Sequence, residues 1–121
     1  MLVRLCRDLY VLMAELATMP ENRSKLKPGT TLVTASMVEE LETLIDEVNT
    51  RFEMPTEFVI PGQSAISAQL DVARTVVRRA ERLALRAVVP ESHVVAYLNR
   101  LSDLCWTLAR WQEGDALSAR G

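Results

Sequence analysis

Aromatic side chains make up only 5% of this 121-residue chain, and glycine and proline number just four and five. That scarcity argues against a sandwich or barrel, whose frequent turns draw on such residues, and favours helices. Cysteine is almost missing: Cys6 and Cys105 stand alone, without metal-type spacing. Two isolated thiols in apolar helical contexts point to buried, inert side chains in a reducing compartment. The single histidine, His93, has no ligating partner, and no Ser or Cys is spaced for a nucleophilic triad. No apolar run approaches the ~18 residues of a membrane span, and no signal-peptide pattern with a cleavage site opens the chain. A net charge of −2 lacks the basic excess of a general nucleic-acid binder. These absences describe one cytoplasmic domain over residues 1–121, with no membrane or nucleic-acid partner expected and enough length for a core.

What is present is helical periodicity. Leu2, Leu5, Leu9, Leu12, Leu16 and Met19 alternate steps of three and four, which predicts an amphipathic helix ending before Pro20. No capping residue precedes it, so either a preceding segment has been lost or the helix starts at the terminus. Residues 20–34 read as a polar connection punctuated by Pro28-Gly29. Ser36 and Glu39 have the spacing of a capping box, and Val38, Leu41, Leu44, Ile45 and Val48 supply the stripe of a second helix ending near residues 49–51. Pro55 and Pro61-Gly62 bracket an irregular stretch. Ser64 is the expected N-cap of a third helix reaching about Val88, with Ile66, Leu70, Ala73, Val77, Ala80, Leu83 (or Ala84) and Ala87 on its apolar face. Pro90 breaks it. Val94, Tyr97, Leu98, Leu101, Leu104, Cys105, Leu108 and Trp111 line a fourth helix, which Gly114 closes before a fraying end. Four helices with short connections imply an all-α fold, an antiparallel four-helix bundle.

The third helix carries the most distinctive chemistry. Arg74, Arg78, Arg82 and Arg86 recur every fourth residue, forming one ridge, with Arg79 beside it. Like charges at this spacing repel by a few tenths of a kcal/mol per pair, so the ridge calls for something anionic opposite. Two readings stay open: a phosphate clamp, because guanidinium presents fixed donor forks, or a solvated face with local pairs such as Asp71–Arg74 and Arg78–Glu81. Asn99 and Asp103, one turn apart on the fourth helix, could contact a ligand and orient an arginine of the third, or could form a structural network. Glu39, Glu40, Glu42, Asp46 and Glu47 resemble an ExxE-type metal site but lack a second acidic motif, so a solvated face is expected and no metal ligand is assigned.

Taken together, Phe58-Val-Ile-Pro-Gly62, Arg74-Thr-Val-Val-Arg-Arg-Ala-Glu-Arg82 and Tyr97-Leu-Asn-Arg-Leu-Ser-Asp103 closely resemble the PduO-type ATP:cob(I)alamin adenosyltransferases. Leu9-Tyr10 and Ala14 to Thr18 also look like that family's helix before its variable loop. The resemblance implies a bundle of the cobalamin adenosyltransferase type, assembled as a homotrimer with sites between subunits. It implies transfer of the 5′-deoxyadenosyl group of ATP (with Mg²⁺) to cob(I)alamin, with release of triphosphate. An apolar wall would displace the lower axial ligand so that Co(II) can be reduced to the nucleophilic Co(I). By resemblance, Arg78, Arg79, Glu81 and Arg82 take ATP-binding positions, and Asn99 matches a nucleotide-contacting asparagine. Arg74, also counted with the ATP site, matches an arginine paired with an aspartate of the neighbouring subunit. Phe58 and Trp106 match two phenylalanines that wall the corrinoid site. No catalytic residue is assigned.

Departures accompany the match. Trp106 replaces a phenylalanine, Pro-Gly-Gly reads Pro61-Gly-Gln63, and Asp71 stands where a histidine is common. The family's Gly/Thr-rich ATP loop and the helix bearing the aspartate partner of Arg74 are not found ahead of the first helix. Losing that side of the cradle would weaken stabilisation of the leaving triphosphate. The expectation is therefore an N-terminally truncated or degenerate member with activity weak or lost. The alternative is a non-catalytic corrinoid- or nucleotide-binding bundle acting as a binding or scaffold subunit.

Overall fold

The computed structural model describes residues 1–56 and 58–114. Four helices account for most of them: α1 (Leu2–Leu16), α2 (Ala35–Asn49), α3 (Ala65–Ala84) and α4 (Val94–Glu113), with a 3-10 turn at Pro20–Lys25. α1 begins without a side-chain cap. Ser64 caps α3, accepting from the Ser67 N–H at 3.1 Å. α2 starts earlier than Ser36 and Glu39 suggest. Thr34 is its N-cap, accepting from Met37 N–H, while Met37 Sδ accepts from Thr34 N–H at 3.4 Å. α3 ends at Ala84 rather than Val88 and unwinds through turns to Pro90. Gly114 closes α4 at φ 73°, a left-handed conformation that suits glycine. The expected fraying falls on residues 115–121, outside the described residues.

Long-range bonds show the topology. Arg4 pairs with Glu40 while Glu15 meets the backbone of Val33, so residue numbers rise on α1 as they fall toward and along α2. The pairs Asp8–Tyr97 and Glu15–Ser92 give the same relation between α1 and the start of α4, and Asp71–Arg110 and Glu81–Asn99 between α3 and α4. The bundle runs up, down, up, down.

α4 is the axle. It packs on both α3 and α2 and buries Val94, Tyr97, Leu98, Leu101, Leu104 and Cys105, as its periodicity predicts. Val38, Leu41 and Val48 of α2 are likewise buried. On α1, Leu5 and Leu12 face the core as expected, with Leu9 packed against it, but Val11 and Glu15 join them, while Leu2, Leu16 and Met19 of the expected stripe stay exposed, as do Tyr10 and Met13. Cys6 shares the uncovered side, so only Cys105 is the buried thiol expected. On α3 only Ser67 and Ala84 are buried outright; Leu70, Ala73, Val77 and Ala80 are half-buried, and Ile66, Leu83 and Ala87 are exposed.

Candidate functional site

After α2, Pro55, Thr56, Phe58, Val59 and Pro61 lie alongside the α3–α4 pair. Pro55 and Pro61 limit how this segment can fold back, since neither offers an N–H for a ladder. Between it and the helices lies an open cleft of about 790 Å³. Phe58 and Val59 line one side, Asp71, Arg74 and Thr75 of α3 a second, and Trp106 and Arg110 of α4 a third. The structure therefore brings Phe58, Trp106 and Arg74 together, although they lie far apart in sequence. Phe58 is 82% exposed, its ring covered little by the rest of the chain.

One and two turns beyond Arg74, the ridge leaves the cleft and continues along α3 with Arg78, Arg79 and Arg82, all exposed. Glu81 sits beside them and is mostly buried. Its Oε2 accepts from Asn99 Nδ2 at 3.1 Å, while Oε1 lies 3.8 Å from Arg78 and has no hydrogen-bond partner among the described residues. Asn99 in turn accepts from Arg100 at 2.6 Å. Thus Arg78, Glu81 and Asn99 form one polar cluster, and Arg79 and Arg82 are exposed elsewhere on α3. Two local pairings differ from expectation. Asp103 binds Arg100 of its own helix at 2.6 Å rather than an arginine of α3, the i,i+3 neighbour being nearer. Asp71 reaches Arg110 of α4 rather than Arg74.

That last pair was hidden in the sequence. Arg110 is 2% exposed; it donates to Asp71 at 2.6 Å and to Glu113 at 2.5 Å, and its guanidinium lies 5.3 Å from the Trp106 ring centroid. The available signal was an arginine falling among the buried positions of α4, one turn after Trp106 and three residues before an acid. Arg74, by contrast, has a buried Nε with no hydrogen-bond partner among the described residues, and its charge partly offsets the burial that pushes the Cys105 thiol up. Such an orphaned donor is costly and marks a group awaiting an acceptor. The acidic residues Glu39, Glu40, Glu42, Asp46 and Glu47 are exposed on α2, and no group of three or more His, Cys, Asp or Glu among the described residues could hold a metal.

Chemically, the arrangement offers an apolar, aromatic-walled cleft joined by Arg74 to a cationic strip. A flat apolar ligand with a neighbouring polyanion would suit it. The chain is 47% identical over 83 residues to a corrinoid adenosyltransferase of Mycobacterium leprae, covering 64% of this chain and 44% of that protein. It is 39% identical over 108 residues to a corrinoid adenosyltransferase of Citrobacter freundii, covering 87% and 60%. Among solved structures it matches a phenylalanine-to-alanine variant of a PduO-type ATP:corrinoid adenosyltransferase from Lactobacillus reuteri, complexed with cobalamin and ATP. There the TM-score is 0.82 at 25% identity, covering 99% of this chain and 68% of that one. The chain thus spans 60% or less of these two curated relatives. With residues 1–112 matching the family model for cobalamin adenosyltransferase, the chain belongs to the cobalamin adenosyltransferase family.

Proposed function

We propose that this chain is a corrinoid adenosyltransferase, moving the 5′-deoxyadenosyl group of ATP to cob(I)alamin with release of triphosphate. One observation carries the reading: α3 presents Arg74 to an aromatic-walled cleft and, on the same ridge, Arg78 and Arg82 beside the Glu81–Asn99 pair. Corrinoid in the cleft and nucleotide on the strip would then be neighbours. The cobalt electron pair forms the Co–C5′ bond as the C5′–O5′ bond breaks, and triphosphate leaves with that oxygen. Arg78, Arg79 and Arg82 would stabilise the departing negative charge, which Mg²⁺ carried with ATP would share. Phe58 and Trp106 would wall the corrin and exclude a lower ligand. Glu81, held by Asn99, would orient the nucleotide.

We further propose that the chain works as one helical domain in a cytoplasmic homotrimer. Val72, Val76 and Leu83 form an exposed apolar stripe along α3, and Arg74, whose Nε has no hydrogen-bond partner among the described residues, would turn its guanidinium to a carboxylate of a second copy. The two free cysteines suit a reducing compartment. No helix among the described residues is long and apolar enough to cross a membrane.

Calorimetric titration with ATP and with cobalamin, followed by an adenosylation assay on pre-reduced cob(I)alamin, tests the reading. Micromolar binding of both ligands and a light-sensitive alkylcobalamin product are expected. Binding of both without product favours the non-catalytic binding subunit, and binding of neither overturns the proposal.

A further inference from the structure

The reaction just described assigns Arg110 no part, yet it is held more tightly than any arginine of the ridge. Its side chain is 2% exposed, and its groups point three ways: Nη2 to Asp71 on α3, Nε to Glu113 on α4, and the guanidinium face toward Trp106. Asp71, Trp106 and Arg110 all line the cleft. The Glu113 side chain is enclosed, its Oε2 without a hydrogen-bond partner among the described residues, so this carboxylate is committed to the arginine rather than to solvent.

An indole at the edge of an open cleft has several staggered rotamers available. A guanidinium stacked on its face favours one of them, provided the guanidinium itself cannot turn. Two carboxylates gripping different nitrogens supply that restraint, because the planar fork of arginine transmits their positions to the face that meets the ring. A simple neutralising pair would need only one carboxylate and no aromatic neighbour.

We infer that Arg110, clamped between Asp71 and Glu113, is a positioning residue that holds the Trp106 indole as the fixed wall of the corrinoid cleft. The inference rests on the adenosyltransferase reading for its consequence, but its geometry concerns Trp106 alone. The wall matters while cobalt carries a lower axial ligand, at the Co(II) stage. With that ligand excluded, one electron from a dihydroflavin converts Co(II) to Co(I), which no longer holds the base. A loosened wall therefore slows reactions started from Co(II) more than those started from Co(I).

Two readouts test this on the full chain. In a Trp111→Phe background Trp106 is the sole tryptophan, and adding Arg110→Lys keeps the charge while removing the planar face. Acrylamide quenching of Trp106 fluorescence is expected to rise about twofold; unchanged quenching overturns the inference. This readout needs no turnover, so a chain that fails to adenosylate would sink the functional reading and leave this one to be judged on its own. In the rate assay, Arg110→Lys is expected to lower adenosylation from cob(II)alamin plus dihydroflavin about tenfold more than adenosylation from borohydride-reduced cob(I)alamin. An equal loss by both routes marks a merely structural role and overturns the inference. Asp71→Asn, which keeps the side-chain shape and drops one jaw of the clamp, is expected to move both readouts in the same directions by less. It decides the matter should Arg110→Lys not fold.

Discussion

The hydroxyl of Tyr97 donates to Asp8 Oδ2 at 2.9 Å, joining α4 to α1 through a side chain that is itself fully buried. Burial first, and then the bond to Asp8, push the Tyr97 hydroxyl well above the ordinary tyrosine range. A group whose folded pKa is raised contributes stability that is complete below the unfolded value, about 10, and fades as pH climbs past it. Tyr97→Phe is expected to cost about 1 kcal/mol at neutral pH. It should also flatten the loss of stability between about pH 9 and 11, as read by urea denaturation across that range. An alkaline limb identical in variant and parent would contradict this account.

Glu15 is the second polar anchor of the core. Its carboxylate, 1% exposed, accepts from Val33 N–H at 2.8 Å, Ser92 Oγ at 2.5 Å and Arg23 at 3.2 Å. Glu15→Gln keeps the shape but offers an amide hydrogen where donors converge. A loss of about 2–3 kcal/mol in unfolding free energy is expected, since charge-assisted bonds are weakened and one donor is left facing another. A loss below about 0.5 kcal/mol would show that water replaces these contacts at little cost.

Arg78 is half exposed, and its 3.8 Å approach to Glu81 is a loose surface pair. Arg78→Ala should therefore change stability by less than about 0.5 kcal/mol. ATP affinity, in contrast, should fall at least about tenfold, the loss of one charge-assisted bond to phosphate. Calorimetry on the parent and the variant, with melting curves alongside, separates the two effects. Unchanged ATP affinity would remove Arg78 from the site.

Cys105 is buried and its thiol is pushed up, chiefly by burial, whereas Cys6 is exposed. A thiol reagent at pH 8 is expected to label Cys6 first and to reach Cys105 only with denaturant. Because thiolate is the reacting form, both burial and the raised pKa should slow Cys105, by about tenfold or more. Mass spectrometry of the labelled peptides distinguishes the two sites.

Helix positions were legible because apolar periodicity and the Ser64 cap are local signals. α1 shows where that ends. Its leucine stripe holds at Leu5 and Leu12, but Leu2 and Leu16 stay exposed and the core also takes Val11 and Glu15, the latter bonded to Arg23, Val33 and Ser92. A carboxylate in a buried stripe reads as a break in the pattern until its three donors, from distant segments, are known. The arginine ridge, Asn99, Phe58 and Trp106 could be singled out from motifs and resemblance, whereas Arg110 could not. Its partner Asp71 lies 39 residues away and looked like a neighbour for Arg74. The acceptor for Thr34 shifted the start of α2 in the same way, since sulfur at Met37 took the place expected of a glutamate.

α3 rests on α4 and on no other helix to a comparable extent, with only Ser67 and Ala84 fully enclosed. The helix that bears the cationic strip thus depends on one extensive partner, and any opening of the chain at this helix would be a separation from α4. Anything that spans the strip and the cleft at once restrains this opening. Part of its gross interaction energy then goes into stiffening α3, and a second ligand arriving on the stiffened helix has less ordering to do. Cooperativity between two ligands would in that case need no change of shape, only a quieter helix.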